Sequence, residues 1–407
     1  MDILIDFERR PLFFSDPQSI ICCTDPAACA ESFAKIESAI KAGYYVAGFL
    51  SYEAGYCFEE RLRVSKEYDF PLIQMGVYKQ PRSRRFPAPA QGRGTVSDFS
   101  LNISKKEYFS DIESIRDFIA CGDVYQITYC IKFRFAFQGD VQALYSELLH
   151  KQPVPYPAYI KTDKFSILSL SPERFIKKQA TRVITEPMKG TWPRGRNSVR
   201  DIAARYRFSR DIKNRAENVM IADLLRNDLG RIGKNIRAPK LFTIAQYKTL
   251  YQMTSTVTAD VPCDMPLYDL FAAVFPSGSV TGAPKIRAME IIRSLEGEER
   301  RIYTGAIGYI APNRDMYFSV PIRTLLIRGG SGEMGVGGGI VWDSTPQGEW
   351  DEGMLKASFL TDWGRSPRCH TMPLQVIENT GVTSPATGRR IQGHSLASDI
   401  NGAGGGS

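Results

Sequence analysis

Histidine is nearly absent from this chain: three of 407 residues, at His150, His370 and His394. The last two fall in a polar C-terminal stretch, and His150 follows Leu148 and Leu149 in a pattern that reads as an amphipathic helix. A Ser-His-Asp triad would have to rely on His150 alone, so a core or surface role is the better reading. Acid–base work must then rest on lysine and carboxylates whose pKa values are shifted by their surroundings. No apolar run approaches the roughly 20 residues of a membrane-spanning helix. Met1 to Arg10 carry Asp2, Asp6 and Glu8 and lack the apolar core of a signal peptide. Cysteines are scattered at 22, 23, 29, 57, 121, 130, 263 and 369, with no CxxC pair and no dense disulfide framework. The expectation is a reducing cytoplasm, with the thiols as small buried apolar groups. No internal repeat is present.

What the chain does have is an ordinary globular balance, 43% hydrophobic and 24% charged, with a net charge of +8. The densest basic patch, Lys79, Arg82, Arg84, Arg85 and Arg93, lies in a Pro/Gly-rich segment without interleaved aromatics, which fits a solvated linker and not a nucleic-acid groove. A positive field also helps to collect a small polyanion.

The pattern divides the chain into residues 1–78, a linker over 79–96, a larger segment over 97–363, and a polar tail over 364–407 that is expected to be disordered. Helical spacing is predicted over Ala28 to Ala42, from Ser104 to Gly122, over one long stretch from Val199 to Leu229, from Lys285 to Leu295 after Pro284, and over Pro346 to Leu360. Strand-like runs cover Tyr44 to Tyr52, Pro71 to Tyr78, Val124 to Phe137, Ala158 to Leu170, Arg174 to Thr185, Tyr303 to Ile310, Met316 to Ile327 and Glu333 to Trp342.

Lys189, between Pro187-Met188 and Gly190, reads as a positioned amine nucleophile. Glu173 lies upstream of it and Glu217 downstream. Glu349, Glu352 and Lys356, at i, i+3 and i+7, share one helix face. Alone, that face reads as solvated with an internal ion pair. Gly337-Gly338-Gly339 just before it is expected to end a strand and to let a ligand approach backbone N–H groups.

Several blocks carry a resemblance: Ala216-Glu217-Asn218, Asp223 to Gly230 (DLLRNDLG), Pro276 to Lys285 (PSGSVTGAPK), Tyr303-Thr304-Gly305-Ala306, Ile322-Arg323-Thr324 and Gly339-Ile340-Val341. In this order, over about residues 97–362, they resemble the chorismate-utilising enzymes. Gly48 to Gly55 (GFLSYEAG) is similar to the N-terminal part of the same family. The resemblance implies an α+β fold with two large, orthogonally packed antiparallel sheets in α/β/β/α layers, and a site in the cleft between the two halves. Residues 1–78 would then join the larger segment in one compact unit.

Within the family, members that add water carry lysine where this chain has Gln126, ammonia users carry glutamine there, and anthranilate-forming members have alanine at the position of Lys189. Gln126 with Lys189 therefore implies amination of chorismate at C4. The resemblance further implies Mg²⁺ on Glu217 and Glu352 with Glu349 beside them, Glu173 as general acid and Lys189 as nucleophile at C2. Arg323 would bind the enolpyruvyl carboxylate, with Tyr309, Gly337, Gly338, Gly339, Thr281, Gln126 and Lys356 completing the substrate pocket. With no Gly-x-Cys-x-Gly elbow present, ammonia would come from solution or, as the preferred reading, from a separate glutamine amidotransferase subunit. The alternatives are anthranilate synthesis and a chorismate-binding regulator without turnover. Two departures stand out. Gln252 replaces a histidine common in relatives and cannot act as an acid near neutral pH, and Pro321 replaces an alanine before Ile322-Arg323-Thr324, where an edge or bulge is expected.

Overall fold

A computed structural model describes residues 1–83, 93–195, 197–246 and 250–364. The expected disordered tail lies outside the described residues from position 365 onward, as does most of the expected linker, 84–92. The rest of that linker differs from expectation, because a strand already begins at Gly94.

Nineteen strands are described. In chain order they are β1 (Asp2–Phe7), β2 (Arg10–Phe14), β3 (Ser19–Cys23), β4 (Tyr45–Leu50), β5 (Ile73–Tyr78), β6 (Gly94–Leu101), β7 (Gln126–Gly139), β8 (Tyr156–Lys161), β9 (Ser166–Ser171) and β10 (Arg174–Gln179). There follow β11 (Arg182–Glu186), β12 (Met188–Pro193), β13 (Lys234–Gln246), β14 (Leu250–Asp260), β15 (Gly282–Ala283), β16 (Ala306–Ile310), β17 (Met316–Ser319), β18 (Thr324–Arg328) and β19 (Ser331–Ile340). The helices are α1 (Cys29–Lys41), α2 (Lys105–Ala120), α3 (Val141–Lys151), α4 (Ser198–Arg210), α5 (Ile212–Gly230), α6 (Leu267–Val274), α7 (Lys285–Leu295) and α8 (Pro346–Gly364).

All strand pairings are antiparallel. One sheet runs β15-β7-β19-β18-β9-β8-β1-β2 with β6 on β7, and the other runs β12-β14-β11-β10-β17-β16-β4-β5-β3 with β13 on β14. Three apolar clusters give the layer order. Ile3, Ile5 and Phe14 of the first sheet meet Ala47, Phe49 and Ile307 of the second in a sandwich core. Residues of α2, α3, α7 and α8 cover the first sheet's other face, and α1, α5 and α6 cover the second's. The four-layer α+β architecture follows. Residues 1–78 supply strands to both sheets.

Local chemistry explains where the elements stop. Ser104 and Glu107 form a reciprocal capping box that starts α2. The single helix expected over Val199 to Leu229 is two helices, because Asp211 takes extended dihedrals and caps α5 by accepting from Asn214 N–H at 2.8 Å. The single strand expected over Met316 to Ile327 is also two, β17 in one sheet and β18 in the other. The chain crosses between sheets at Pro321-Ile322-Arg323, where Arg323 has φ +50°. Pro321 therefore sits at a crossing, not at a strand edge or bulge. The buried-thiol expectation holds only in part, since Cys22, Cys121 and Cys263 are exposed, though the seven described cysteines are all free. His150 is exposed in the last turn of α3.

Candidate active site

Lys189 owes its place to a β-bulge. Met188 of β12 pairs with Thr254 of β14 whereas Thr191 pairs with Gln252, so the first strand advances three residues for the second's two. Gly190 absorbs the excess with φ +86°, and a side chain there would strike Asn214 of α5 at 2.5 Å. The bulge brings Lys189 to the opposite sheet. A methyl group on Gly339 of β19 would stand 2.7 Å from Lys189 Nζ and 2.6 Å from Gln126 Nε2. Gln126 is fully buried, and neither atom of its amide has a hydrogen-bond partner among the described residues. A buried amide left so costs about 1–3 kcal/mol, which is what a site awaiting a polar ligand would carry. The glycine run does not end its strand as expected. It lies within β19, with Gly337, Gly338 and Gly339 opposite Cys130, Tyr129 and Thr128.

Glu173 stands at another crossing between sheets, from β9 to β10. Its backbone is fixed on both sides: Glu173 N–H donates to Ser171 Oγ at 3.1 Å, and Val320 N–H donates to the Glu173 carbonyl at 3.1 Å. Its carboxyl is 3% exposed and accepts from Ser279 Oγ at 2.5 Å. Burial pushes its pKa up to about 7, against the pull of the Ser279 hydroxyl, the Lys189 ammonium and the Met188 N–H. Lys189 moves the other way. Burial holds its amine below the usual lysine value, Lys356 pushes in the same direction, and Glu217, Glu173 and Glu352 oppose. A carboxyl made a weaker acid and an amine made a weaker base thus lie within each other's electrostatic reach.

Glu217 on α5 and Glu349 on α8 have raised pKa values, through burial first and also through repulsion from Glu352. Glu349 Oε1 accepts from Ser344 Oγ at 2.6 Å. Glu352 is lowered, chiefly by Lys356, whose Nζ lies 2.7 Å from its Oε1 and donates to the Gly337 carbonyl at 2.8 Å. The α8 face is therefore docked on the glycine strand, not simply solvated. Glu352 repels both Glu217 and Glu349, and the three carboxylates, with Lys213 and Lys356 as nearby cations, offer hard oxygen donors of the kind Mg²⁺ takes while keeping waters. Among the described residues, no three acidic, histidine or cysteine side chains close into a ready cage.

The other expected residues divide. Arg323 sits at the crossing next to that of Glu173, its carbonyl accepting from Leu170 N–H at 3.1 Å. Thr281 is buried beside Gln126's strand, its carbonyl accepting from Thr128 N–H at 2.7 Å. Tyr309 goes elsewhere. Its ring packs on Phe14 at 6.0 Å in the sandwich core, and its electrostatic neighbours are Tyr45, Asp315, Arg10 and Glu8. Gln252 is buried with its Oε1 unpartnered among the described residues.

Sequence reasoning missed three contributors. Ser279 lay inside a quoted block without a role. Lys213 fell in the middle of the long helix expected over Val199 to Leu229, one charge among several there. Arg300, 3% exposed, ties together the segments that carry Val280 and Thr128. It binds both oxygens of Glu296, at 2.7 and 2.6 Å, and donates to the carbonyls of Val280 at 2.8 Å and Thr128 at 2.6 Å. A buried Glu-x-x-x-Arg pair at i, i+4 looks the same in sequence as an exposed one.

Residues 14–362 match the family model described as "chorismate binding enzyme". The chain is 34% identical over 332 residues to aminodeoxychorismate synthase component 1 of Klebsiella aerogenes, covering 75% of this chain and 74% of that one. It is 36% identical over 302 residues to anthranilate synthase component 1 of Aquifex aeolicus, covering 73% of this chain but 61% of the relative. The menaquinone-specific isochorismate synthase of Escherichia coli superposes with a TM-score of 0.71 at 16% identity, over 88% of this chain and 87% of that one, and so shares the fold.

Proposed function

The chain belongs to the chorismate-binding enzymes, and on that premise we propose that it aminates chorismate at C4 to give 4-amino-4-deoxychorismate, a precursor of p-aminobenzoate in folate formation, through a covalent adduct on Lys189. The observation that carries this reading is the bulge that sets Lys189 beside Gln126, Gly339 and the acid Glu173. Neutral Lys189 attacks C2 while the ring double bonds shift and the C4 hydroxyl leaves as water, taking the proton of Glu173. Ammonia then adds at C4, the double bonds shift back, and the Lys189 nitrogen departs from C2. Arg323 offers a planar fork for the enolpyruvyl carboxylate. Lys356, Thr281 and the glycine strand line the rest. When bound on Glu217, Glu352 and Glu349, Mg²⁺ would supply Lewis acidity at the ring carboxylate. A separate glutamine amidotransferase subunit in the cytoplasm would supply the ammonia.

Similarity at 36% to an anthranilate synthase keeps amination at C2 as the second reading. Intact-protein mass after exposure to chorismate and Mg²⁺ without ammonia tests the first. It predicts a gain equal to chorismate less water, absent in Lys189→Ala. A wild-type chain that stays unmodified without ammonia, yet turns chorismate over once ammonia is added, rules the adduct out.

A further inference from the structure

Ser277, Ser279 and Glu173 form a closed line of polar side chains. All three are 3–4% exposed. Ser277 Oγ and Ser279 Oγ are 2.9 Å apart, and Ser279 Oγ is 2.5 Å from Glu173 Oε1. The direction of the line follows from counting hydrogens. If Ser277 donates to Ser279 and Ser279 to Glu173, both hydroxyl hydrogens have acceptors. In the reverse order, Glu173 would donate to Ser279 and Ser279 to Ser277, leaving the Ser277 hydrogen buried with no acceptor among the described residues, at a cost of about 1–3 kcal/mol. The segment that bears the serines is itself held in place: Arg300 donates to the Val280 carbonyl at 2.8 Å, and the Thr281 hydroxyl donates to the Ser277 carbonyl at 3.1 Å.

We propose that Ser279, oriented by Ser277, is a positioning residue for the general acid: by donating to Glu173 Oε1 it confines the transferable proton to Oε2. The proposal rests on the reading of Glu173 as the acid of this site. Because the line ends at buried Ser277, it orients the carboxyl and conducts no proton. The proton that Glu173 gives to the departing hydroxyl must return from the ligand side. Among the described residues, the charged group shifting the Glu173 carboxyl is Lys189 on β12, with the Met188 N–H beside it. Once Glu173 is ionised, the Ser279 hydrogen bond stabilises the anion, so Ser279 lowers the proton affinity of the acid as well as fixing its geometry.

The test reads the carboxyl directly. Infrared difference spectra of the substrate-free protein across a pH titration, with the Glu173→Gln spectra subtracted, isolate the Glu173 band. Ser279→Ala should move its midpoint up by roughly one pH unit, with Ser277→Ala moving it less in the same direction. Ser279→Cys, which keeps a weak donor on a larger atom, should fall between wild type and Ser279→Ala, and a thermal melt of each variant guards against misfolding. In turnover, Ser279→Ala should lower kcat about tenfold with little change in KM, and shift the basic limb of the pH profile upward. A fall in kcat with an unmoved midpoint marks loss of packing and overturns the proposal, as does a midpoint that moves down. Since the infrared measurement uses no chorismate, a chain that aminates nothing would sink the proposed function and leave this assignment of Ser279 standing.

Discussion

Lys189 of one sheet and Gly339 of the other approach so closely that the glycine's missing side chain is part of the site: a Cβ there would stand 2.7 Å from Lys189 Nζ. The atoms in the way are the far ends of two flexible side chains, Lys189 and Gln126, so the fold can yield where the chemistry cannot. Gly339→Ala should fold with a melting temperature near that of wild type yet lose at least about 100-fold in kcat/KM. Steady-state kinetics beside a thermal melt check this, and retained activity would show that Lys189 has room to spare.

Glu173 makes stability depend on pH with a defined sign. Its carboxyl shifts from 4.5 to about 7 on folding, so between those values the folded state holds a proton that the unfolded chain has shed. Stability from this group is therefore full below pH 4.5 and declines until about pH 7, by about 3 kcal/mol in total. Glu173→Gln should remove the decline. Urea midpoints of wild type and variant should diverge in the variant's favour above pH 7 and converge below pH 4.5, while the variant loses turnover throughout.

Arg300 and Glu296 are both buried and meet in two hydrogen bonds. Removing one partner strands the other's charge, at a cost of about 3–5 kcal/mol. Arg300→Met should lower the urea midpoint accordingly, and the double substitution Arg300→Met with Glu296→Leu should recover part of the loss. Equal losses in single and double variants would mean that the arginine's bonds to Val280 and Thr128, not the ion pair, hold this region.

Repulsion of Glu352 on Glu217 and on Glu349 should be relieved by a divalent cation. Added Mg²⁺ should raise the melting temperature with a saturable dependence, equivalent to about 2.7 kcal/mol at one hundred times the dissociation constant, and EDTA should reverse it. Glu217→Gln and Glu352→Gln should each weaken the effect. A melting curve indifferent to Mg²⁺ would contradict the assignment of these carboxylates.

Much of this was legible in the sequence wherever periodicity or contiguity carries the signal. α2 showed its capping serine and its apolar stripe, α7 its leading proline, and the family's sequence blocks their contiguous letters. The β13–β14 hairpin stayed hidden because most of β13 is exposed and shows no clean alternation. The break at Asp211 and the crossing at Arg323 are single-residue backbone events inside otherwise continuous patterns. Tyr309 was misplaced for a related reason: in a strand, facing is set by register, and its register turns it to Phe14. Ser279 could not be singled out because its importance lies in a 2.5 Å contact with a residue more than 100 positions away.

The product decides between amination at C4 and its alternatives. The purified chain, given chorismate, Mg²⁺ and ammonium at mildly alkaline pH, should yield 4-amino-4-deoxychorismate by mass and retention time, with no pyruvate released. Anthranilate with pyruvate, or isochorismate, would contradict the roles assigned to Lys189 and Gln126.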